Sequence, residues 1–282
     1  MKRLSRNLLI ATTLLAGVCF TSCGNDDSPV DDPKDTPSNN QIKPMVKIAR
    51  PVKQIQVVET WDGETYYTTT TTMGYDESNR LVSFCIREGD EPDTDVALTY
   101  DDNKVVISGL IDGDNSTYTY ILDNEGKATK CEYLIKRGGE QEKDGGTIDF
   151  EYSSKRLTYI SDPRAGLSHI VYNDKGDLIG FNDNYHDYSF VSSNVENVSN
   201  IIDPGLWEDP YWCIQAAHYA GILGYTSSHL SVSCTMKSNH GYGLESDRYT
   251  YTIKKNADGT IASISQFDND DKTPFAVYTY SY

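Results

Sequence analysis

Residues 147–181 contain two copies of one short pattern, and this pattern limits the fold more than any other feature of the chain. The first copy reads TIDFEYSSKRLTYIS and the second reads LSHIVYNDKGDLIGF. Each copy is an alternating run that ends in an aromatic residue, a polar turn, and a second run that opens with an aliphatic residue. Alternation with a period of two is typical of strands with one buried face. Each copy therefore predicts a β-hairpin.

The same pattern recurs along most of the chain. Asp62-Gly63 favours a tight hairpin turn, because both central residues of a type I′ turn need positive φ. Turns are also predicted where Asn, Asp and Gly interrupt alternating runs, at residues 77–79, 101–103, 124–126, 174–176 and 257–259. The longer breaks at residues 137–146 and 240–247 are predicted to be exposed loops.

About a dozen strands with short connections follow from this pattern, whereas open twisted sheets rarely exceed about ten strands. We therefore predict a mainly β fold, an antiparallel up-and-down meander curled into a partial barrel. One segment departs from the alternation: residues 206–223 read LWEDPYWCIQAAHYAGIL. Pro210 suits the first turn of a helix and Gly224 suits its end. A helix over 210–223 would be apolar nearly all round, so we place it against the concave face of the sheet.

The beginning of the chain predicts export. Basic residues precede an apolar run at residues 8–18 that is too short to span a membrane, and the run leads to the tetrapeptide FTSC. This start resembles a bacterial lipoprotein signal. The resemblance implies removal of residues 1–22 and acylation of Cys23; an ordinary secretory signal is the alternative. The GNDD that follows resembles the export tag of Bacteroidetes lipoproteins, which implies a surface-exposed protein anchored by lipid in the outer membrane.

Composition then divides the rest of the chain. Residues 24–44 are rich in Pro, Asp, Ser and Asn and contain too little apolar surface to offset the entropy of ordering. We predict a lipidated, flexible acidic tether over 23–45 and one β-meander domain over 46–282. The net charge of −17 argues against nucleic acid as a partner and against electrostatic binding to anionic membranes. The membrane is therefore a partner only through the lipid anchor.

Four cysteines, Cys85, Cys131, Cys213 and Cys234, lie beyond the anchor. None occurs in a C-x-x-C pattern, which argues against a zinc site and against thioredoxin-like chemistry. Each lies in an apolar or alternating run, where a free thiol packs as a small hydrophobic group. Buried thiols are the favoured interpretation, with three disulfide pairings as the alternative.

The densest group of metal-ligand side chains is Asp183, His186 and Asp187. These residues could bind a metal ion, although a polar hairpin loop needs the same residue types for its turn. The candidate ligand-binding residues are Trp61, Trp207, Trp212 and Tyr185. Their rings suit the faces of sugars, whereas tyrosines at regular strand positions mainly cover sheet faces. No cofactor is predicted. No catalytic residue is assigned either, since the sequence lacks the common nucleophile, zinc and phosphate motifs.

The hairpin copies, above all YNDKGDLIGF, resemble the YD-type turns of RHS repeats. The layout from residue 46 to the end is similar to that of a Bacteroides lipoprotein domain of unknown function with a porin-like fold. The lipoprotein start, the Asp-rich tether, the meander and the block NIIDPGLWEDPYWCIQAAHYAGILGYTSSHLSVS carry this resemblance. It implies a water-soluble, curved sheet closed in part by a helix, and it does not imply a pore. The alternation also lacks the outward apolar band of a membrane barrel.

We expect a lipid-anchored surface protein that binds a glycan or another protein without catalysis. A structural or accessory subunit of an outer-membrane assembly is the alternative. A hydrolase that uses a pair of acidic residues is a third hypothesis, because carboxylate pairs perform glycoside hydrolysis.

Overall fold

In a computed structural model of the chain, the structure describes residues 43–62, 64–88, 91–111, 114–137, 142–204, 206, 212–238, 246–269 and 271–282. The signal sequence predicted over 1–22 and the lipidation site Cys23 lie outside these ranges. The described residues belong to one compact unit. Within them, no helix is both long enough and apolar enough to cross a membrane.

The described residues form sixteen strands and one short helix. The strands are β1 (Gln54–Trp61), β2 (Glu64–Tyr75), β3 (Leu81–Glu88), β4 (Glu91–Asp101), β5 (Lys104–Ile111), β6 (Asp114–Leu122), β7 (Ala128–Arg137), β8 (Glu142–Ser153), β9 (Arg156–Asp162), β10 (Gly166–Tyr172), β11 (Leu178–Asn182), β12 (His186–Glu196), β13 (His229–Ser238), β14 (Ser246–Lys255), β15 (Ile261–Asp268) and β16 (Ala276–Ser281). The helix α1 (Trp212–Tyr219) lies between β12 and β13.

The strands form a closed antiparallel barrel, so the prediction of a partial barrel is wrong. Each strand pairs with its neighbours in sequence, and β1 pairs with β16 from Gln54 opposite Ser281 to Glu59 opposite Ala276. The described residues form sixteen strands rather than about a dozen, and some strands extend into stretches interpreted as loops. β8, for example, begins at Glu142, inside the break predicted over 137–146. Closure removes both edges of the sheet, which an open meander would leave unpaired.

Four five-residue turns of one design join strands at one end of the barrel, at residues 76–80, 123–127, 173–177 and 256–260. In the first three, the side-chain oxygen of the leading Asp or Asn accepts the backbone N–H groups of the third and fifth residues, at 2.9–3.2 Å. The fourth residue has positive φ in all four turns: Asn79, Gly126, Gly176 and Gly259. The predicted turns at these positions are confirmed. We call this end the tight-turn end and the opposite one the far end.

The wall of the barrel is apolar on the inside and largely polar on the outside. Along β5 and β6, Val105, Ile107, Tyr118 and Tyr120 are buried and belong to one continuous core. The alternate positions of the wall face solvent, and they carry charged side chains such as the exposed Asp95, Glu132, Asp149 and Lys254. The alternation of the sequence therefore describes one face packed in a core and one face in contact with polar surroundings.

The segment 197–228, which we call the insert, contributes several of its described residues to that core. Ile201, Leu206 and most of α1 are buried in the same cluster as the inward residues of the strands. Strands from different sides of the barrel hydrogen-bond to the insert: Tyr120 of β6 donates to the Cys213 carbonyl at 2.9 Å, and Tyr251 of β14 donates to the Pro204 carbonyl at 3.3 Å. The insert therefore fills the inside of the barrel. The predicted apolar helix is confirmed as buried, inside a closed wall rather than against an open one.

The helix ends earlier than predicted. The N–H of Gly221 donates to the His218 carbonyl and the N–H of Ile222 donates to the Ala217 carbonyl, at 2.8 and 3.2 Å. This pair of bonds is a Schellman motif, which requires a residue with positive φ directly after the helix. Gly221 meets that requirement with φ 76°. Gly221 rather than Gly224 therefore ends the helix, and Leu223 lies beyond it.

Candidate functional site

A cavity of about 320 Å³ opens at the tight-turn end. Three parts of the chain meet around it: the segment before β1, the turn at residues 76–80, and the end of α1. The residues that line it are Lys43, Pro44, Val46, Lys47, Ile48, Pro51, Tyr75, Ser78, Asn79, Arg80, Tyr219 and Ala220.

Two glycines hold the segment before β1 over this end of the barrel. The N–H of Met45 donates to the Gly126 carbonyl at 3.2 Å, and the N–H of Val46 donates to the Gly221 carbonyl at 3.1 Å. A Cβ on Gly126 would lie 2.1 Å from the Lys43 carbonyl oxygen, and a Cβ on Gly221 would lie 2.5 Å from that of Val46. Only glycine permits this close approach. Lys43 and Met45, which the sequence assigns to the tether, therefore lie close to the barrel.

The inner part of the cavity is apolar. Val46, Tyr219 and Ala220 are buried. The Tyr75 hydroxyl donates to the Val52 carbonyl at 3.0 Å, so its polar end is already satisfied. Burial raises the pKa of Tyr75 and of Tyr219 far above the ordinary value, and both rings are therefore uncharged at neutral pH.

The charged residues that line the cavity are all basic. Lys43 and Lys47 are exposed, whereas Arg80 already has two partners. Its Nε donates to Asp76 Oδ2 at 2.7 Å, and its guanidinium lies 5.0 Å from the centre of the Tyr100 ring. Burial raises the pKa of Asp76, but the hydrogen bonds from Arg80 and from the Ser78 N–H outweigh it and hold that pKa below its ordinary value. The Arg80 charge is therefore balanced, and the two lysines supply the free positive charge.

The lining of the cavity has mixed polarity. The described residues that line it include no carboxylate, histidine or cysteine, and its ionisable side chains are lysine, arginine and tyrosine. The cavity combines an apolar interior with polar groups at its rim, as small-molecule sites do.

The aromatic residues proposed for ligand binding do not line this cavity. Trp61, at the end of β1, is 79% exposed, and Tyr185, in the turn between β11 and β12, is 47% exposed; both lie at the far end. Trp212 is half-buried at the start of α1, where its ring meets that of Tyr118 edge-on at 5.0 Å. Trp207 lies outside the described residues. The glycan-binding role of these four residues stays a prediction.

The proposed metal ligands lie in the same far-end turn. Asp183 Oδ1 accepts the backbone N–H groups of Tyr185 and His186 at 2.7 Å, so this carboxylate shapes the turn. His186 Nδ1 lies 3.8 Å from the same oxygen. Asp187 is exposed on the outer face of β12, the next position along the strand. In the part of the chain that the structure describes, no three His, Cys, Asp or Glu side chains are grouped to hold a metal ion. Metal binding at this turn stays a prediction.

Sequence reasoning missed a cluster at the far end of the barrel. Arg164 forms an ion pair with the buried Asp162 at 2.7 Å, and its guanidinium lies 4.1 Å from the centre of the Tyr133 ring. It also donates to the Tyr118 hydroxyl at 2.9 Å. The only signal in the sequence is DPRAG, a turn motif that predicts a hairpin and gives no information about the strands whose rings the arginine contacts.

The cysteine and histidine of α1 are packing residues. Burial raises the pKa of the Cys213 thiol to about 11 and lowers the pKa of His218 to about 4, so neither group carries charge at neutral pH. His218 Nε2 lies 2.7 Å from the Asn200 carbonyl oxygen. Cys131, Cys213 and Cys234 are buried thiols as predicted, whereas the thiol of Cys85 is half-buried.

No protein-family model matches the chain, and no curated protein matches it. Solved structures do. A porin-like protein from Bacteroides uniformis superposes with a TM-score of 0.60 at 18% identity, over 82% of this chain and 98% of that one. A porin-like protein from Bacteroides vulgatus gives a TM-score of 0.50 at 12% identity, over 83% of this chain and 99% of that one. The fold is therefore porin-like, which confirms that part of the resemblance.

Proposed function

We propose that this chain is a lipid-anchored binding module of the outer membrane, exposed at the cell surface. Its barrel is a filled scaffold in contact with water and not a channel. Its partner is a glycan or another surface protein, which it binds without catalysis. Acylated Cys23 and the acidic tether over residues 23–45 hold the barrel near the membrane.

The polarity of the wall is the observation that carries this proposal. A membrane barrel has an outward apolar band and a polar interior. This barrel has the reverse: Ile107 and Tyr120 are fully buried inside, while Glu132 and Asp149 are exposed on the outside of the wall. A charged side chain on a lipid-facing wall is destabilising, by up to about 2–4 kcal/mol for a basic residue at the centre of the bilayer. A wall that carries several charges fits water better than lipid.

The filled interior supports the same conclusion. The insert connects to the wall through buried hydrogen bonds, and its helix belongs to the same apolar core as the inward faces of the strands. Conduction of ions needs a polar, water-filled path through the barrel. A core of this kind supplies packing and no such path.

The sequence and the fold both support the outer-membrane address. The first 23 residues resemble a lipoprotein signal, and two or three acyl chains anchor a protein firmly because each buried methylene contributes about 0.8 kcal/mol. The solved structures that share this fold are described as porin-like proteins of Bacteroides.

One observation favours the accessory-subunit alternative. On the outside of neighbouring strands β10 to β13, Val171, Ile179, Val191 and Val232 are 37–57% exposed. Val171 is paired with Gly180, and its Cβ lies 3.5 Å from the position that a Cβ would take on that glycine. Exposed apolar groups that cluster on an otherwise polar surface are typical of protein–protein contacts.

Reconstitution of the purified full chain in planar lipid bilayers separates a channel from a filled scaffold. We expect no stepwise conductance, together with incorporation of a labelled fatty acid in cells that is lost in the Cys23→Ser variant. Capture of a defined glycan or of one surface protein by the intact protein would identify the partner. Reproducible conductance steps, or labelling that persists in Cys23→Ser, would contradict the proposal.

A further inference from the structure

The cavity at the tight-turn end differs in charge from the rest of the molecule. The chain carries 42 acidic and 25 basic residues, yet the described residues that line the cavity include Lys43, Lys47 and Arg80 and no acidic residue. Because Arg80 is already paired with Asp76, the two lysines are the charges left to meet a ligand. A local excess of positive charge favours an anion over a neutral or cationic molecule of the same shape.

The inner surface determines what the rest of the ligand can be. Tyr219 and Ala220 present a buried surface at the end of the helix, and Pro44, Ile48 and Pro51 add apolar groups from the segment before β1. The Tyr75 hydroxyl is occupied by the Val52 carbonyl. The buried lining residues Val46, Tyr219 and Ala220 offer mainly apolar surface, so a ligand body rich in hydroxyl groups would lose bonds to water there without replacement.

Size restricts the ligand further. About 320 Å³ lies at the lower end of the range of about 300–1,000 Å³ that is typical of small-molecule pockets. The cavity is therefore large enough for a small molecule.

We propose that this cavity binds a small organic anion, a carboxylate on a compact apolar body. Lys43 and Lys47 bind the carboxylate at the rim, and Tyr219 and Ala220 contact the body. This proposal goes beyond the proposed function, because it adds a small-molecule ligand to the glycan or protein partner.

Isothermal titration calorimetry of the purified full chain with three molecules of nearly equal shape tests the proposal. The probes are phenylacetate, its neutral amide phenylacetamide, and the cation 2-phenylethylammonium. We expect phenylacetate to bind about tenfold more tightly than the amide, as a charge-assisted hydrogen bond in place of a neutral one would give, and the cation to show no binding. Raising the salt concentration should weaken the binding of phenylacetate and leave that of the amide unchanged.

Variants locate the binding. The double variant Lys43→Gln/Lys47→Gln should lose about tenfold in affinity for phenylacetate and keep its affinity for the amide. The matched control Lys237→Gln/Lys254→Gln, which removes two exposed lysines from the wall, should bind like the parent. Ser78→Trp, which places a large ring at the rim without changing the charge, should weaken the binding of both molecules. All four lysines are exposed, so the melting temperatures should stay close to that of the parent.

Equal affinity for the anion and its amide, or equal losses in the two double variants, would overturn the proposal. Either result would leave the wider function intact if the same protein captures a glycan or a surface protein. Conversely, the protein could bind phenylacetate tightly through the two lysines and also conduct ions. That result would support the proposed anion site and contradict the proposal that the barrel is a filled scaffold.

Discussion

The tight turns and the insert are stabilised in opposite ways. In the turn at residues 76–80, Asp76 bonds the backbone of Ser78 and Arg80, only two and four positions away. In the insert, the Cys213 carbonyl is bonded by Tyr120, 93 positions away, and the Thr226 carbonyl is bonded by Arg156, 70 positions away. Local bonds leave a pattern in the sequence, whereas distant bonds depend on the closed barrel. Three predictions follow, in order of expected effect.

The insert should account for a large part of the stability of the fold. Ile214 of α1 is fully buried. We expect Ile214→Ala to lower the free energy of unfolding by about 2–5 kcal/mol, because it removes buried methyl groups and leaves a cavity inside a wall that cannot collapse freely. Leu110→Ala, at a position 51% exposed on the outer face, should change it by less than about 0.5 kcal/mol. Denaturation in urea measures both, and equal effects would show that the insert is not part of the core.

Two buried groups of the insert should give opposite pH dependences. Burial raises the pKa of Asp203 from 3.8 to about 6, so the folded state holds a proton that the unfolded state has lost, and the stability that this group contributes falls as the pH rises through that range. Burial lowers the pKa of His218 from 6.5 to about 4, so the unfolded state binds the extra proton, and stability rises with pH between 4 and 6.5.

In the parent protein these two contributions oppose each other between pH 4 and 6. Asp203→Asn removes the Asp203 contribution and keeps that of His218. The free energy of unfolding should then rise by up to about 3 kcal/mol more than in the parent between pH 4 and 6.5. In His218→Gln only the Asp203 contribution remains, so the free energy of unfolding should fall relative to the parent as the pH rises over this range. Urea denaturation at a series of pH values measures the free energy of unfolding of each variant. Subtracting the value of the parent at the same pH removes the contributions of the other carboxylates. Identical slopes in the parent and both variants would contradict the burial of these groups.

Two of the turns with glycine at the fourth position test whether the contact between a turn and the insert contributes to stability. Gly176 and Gly259 have φ of 79° and 88°, so valine is strained at either position. A Cβ on Gly176 would lie 2.3 Å from Arg156 Nη2, whereas a Cβ on Gly259 meets nothing within 4 Å. Gly259→Val should therefore lower the free energy of unfolding by about 1–3 kcal/mol through backbone strain alone.

Gly176→Val should cost about 1–2 kcal/mol more, since it also displaces Arg156 from the Thr226 carbonyl and the Ser228 hydroxyl. Thermal unfolding of the two variants measures the difference. Equal losses would mean that Arg156 does not tie the insert to the wall.

This contrast also explains what the sequence could predict. The turns and the alternation were predictable because a turn needs Asp or Asn at its first position and positive φ at its fourth, as at Asp123 and Gly126. The buried helix was predictable because it is apolar all round. Closure was not, because it depends on the pairing of β1 with β16, for example Gln56 opposite Thr279, at opposite ends of the domain. Nothing in the local pattern specifies that pairing.

The candidate cavity was hidden for the same reason. Lys43, Arg80 and Tyr219 are far apart in sequence and show no motif spacing. They meet because Gly126 and Gly221 let the segment before β1 lie across the end of the barrel. The glycine that ends the helix was assigned to position 224 because the spacing alone does not separate two glycines three residues apart; the bond from Gly221 to His218 does.

Labelling of the middle of the wall tests the central claim, that water surrounds this barrel, most directly. Glu132 is exposed on β7, between Thr119 and Thr147 of the adjoining strands. A Glu132→Cys variant of the full chain, in intact membranes, is treated with a maleimide that cannot cross or enter lipid, with the parent chain as background for Cys85. If water surrounds the barrel, Glu132→Cys should be labelled as fast in membranes as after detergent is added. Slow labelling in membranes that becomes fast in detergent would place this wall in lipid and contradict the claim.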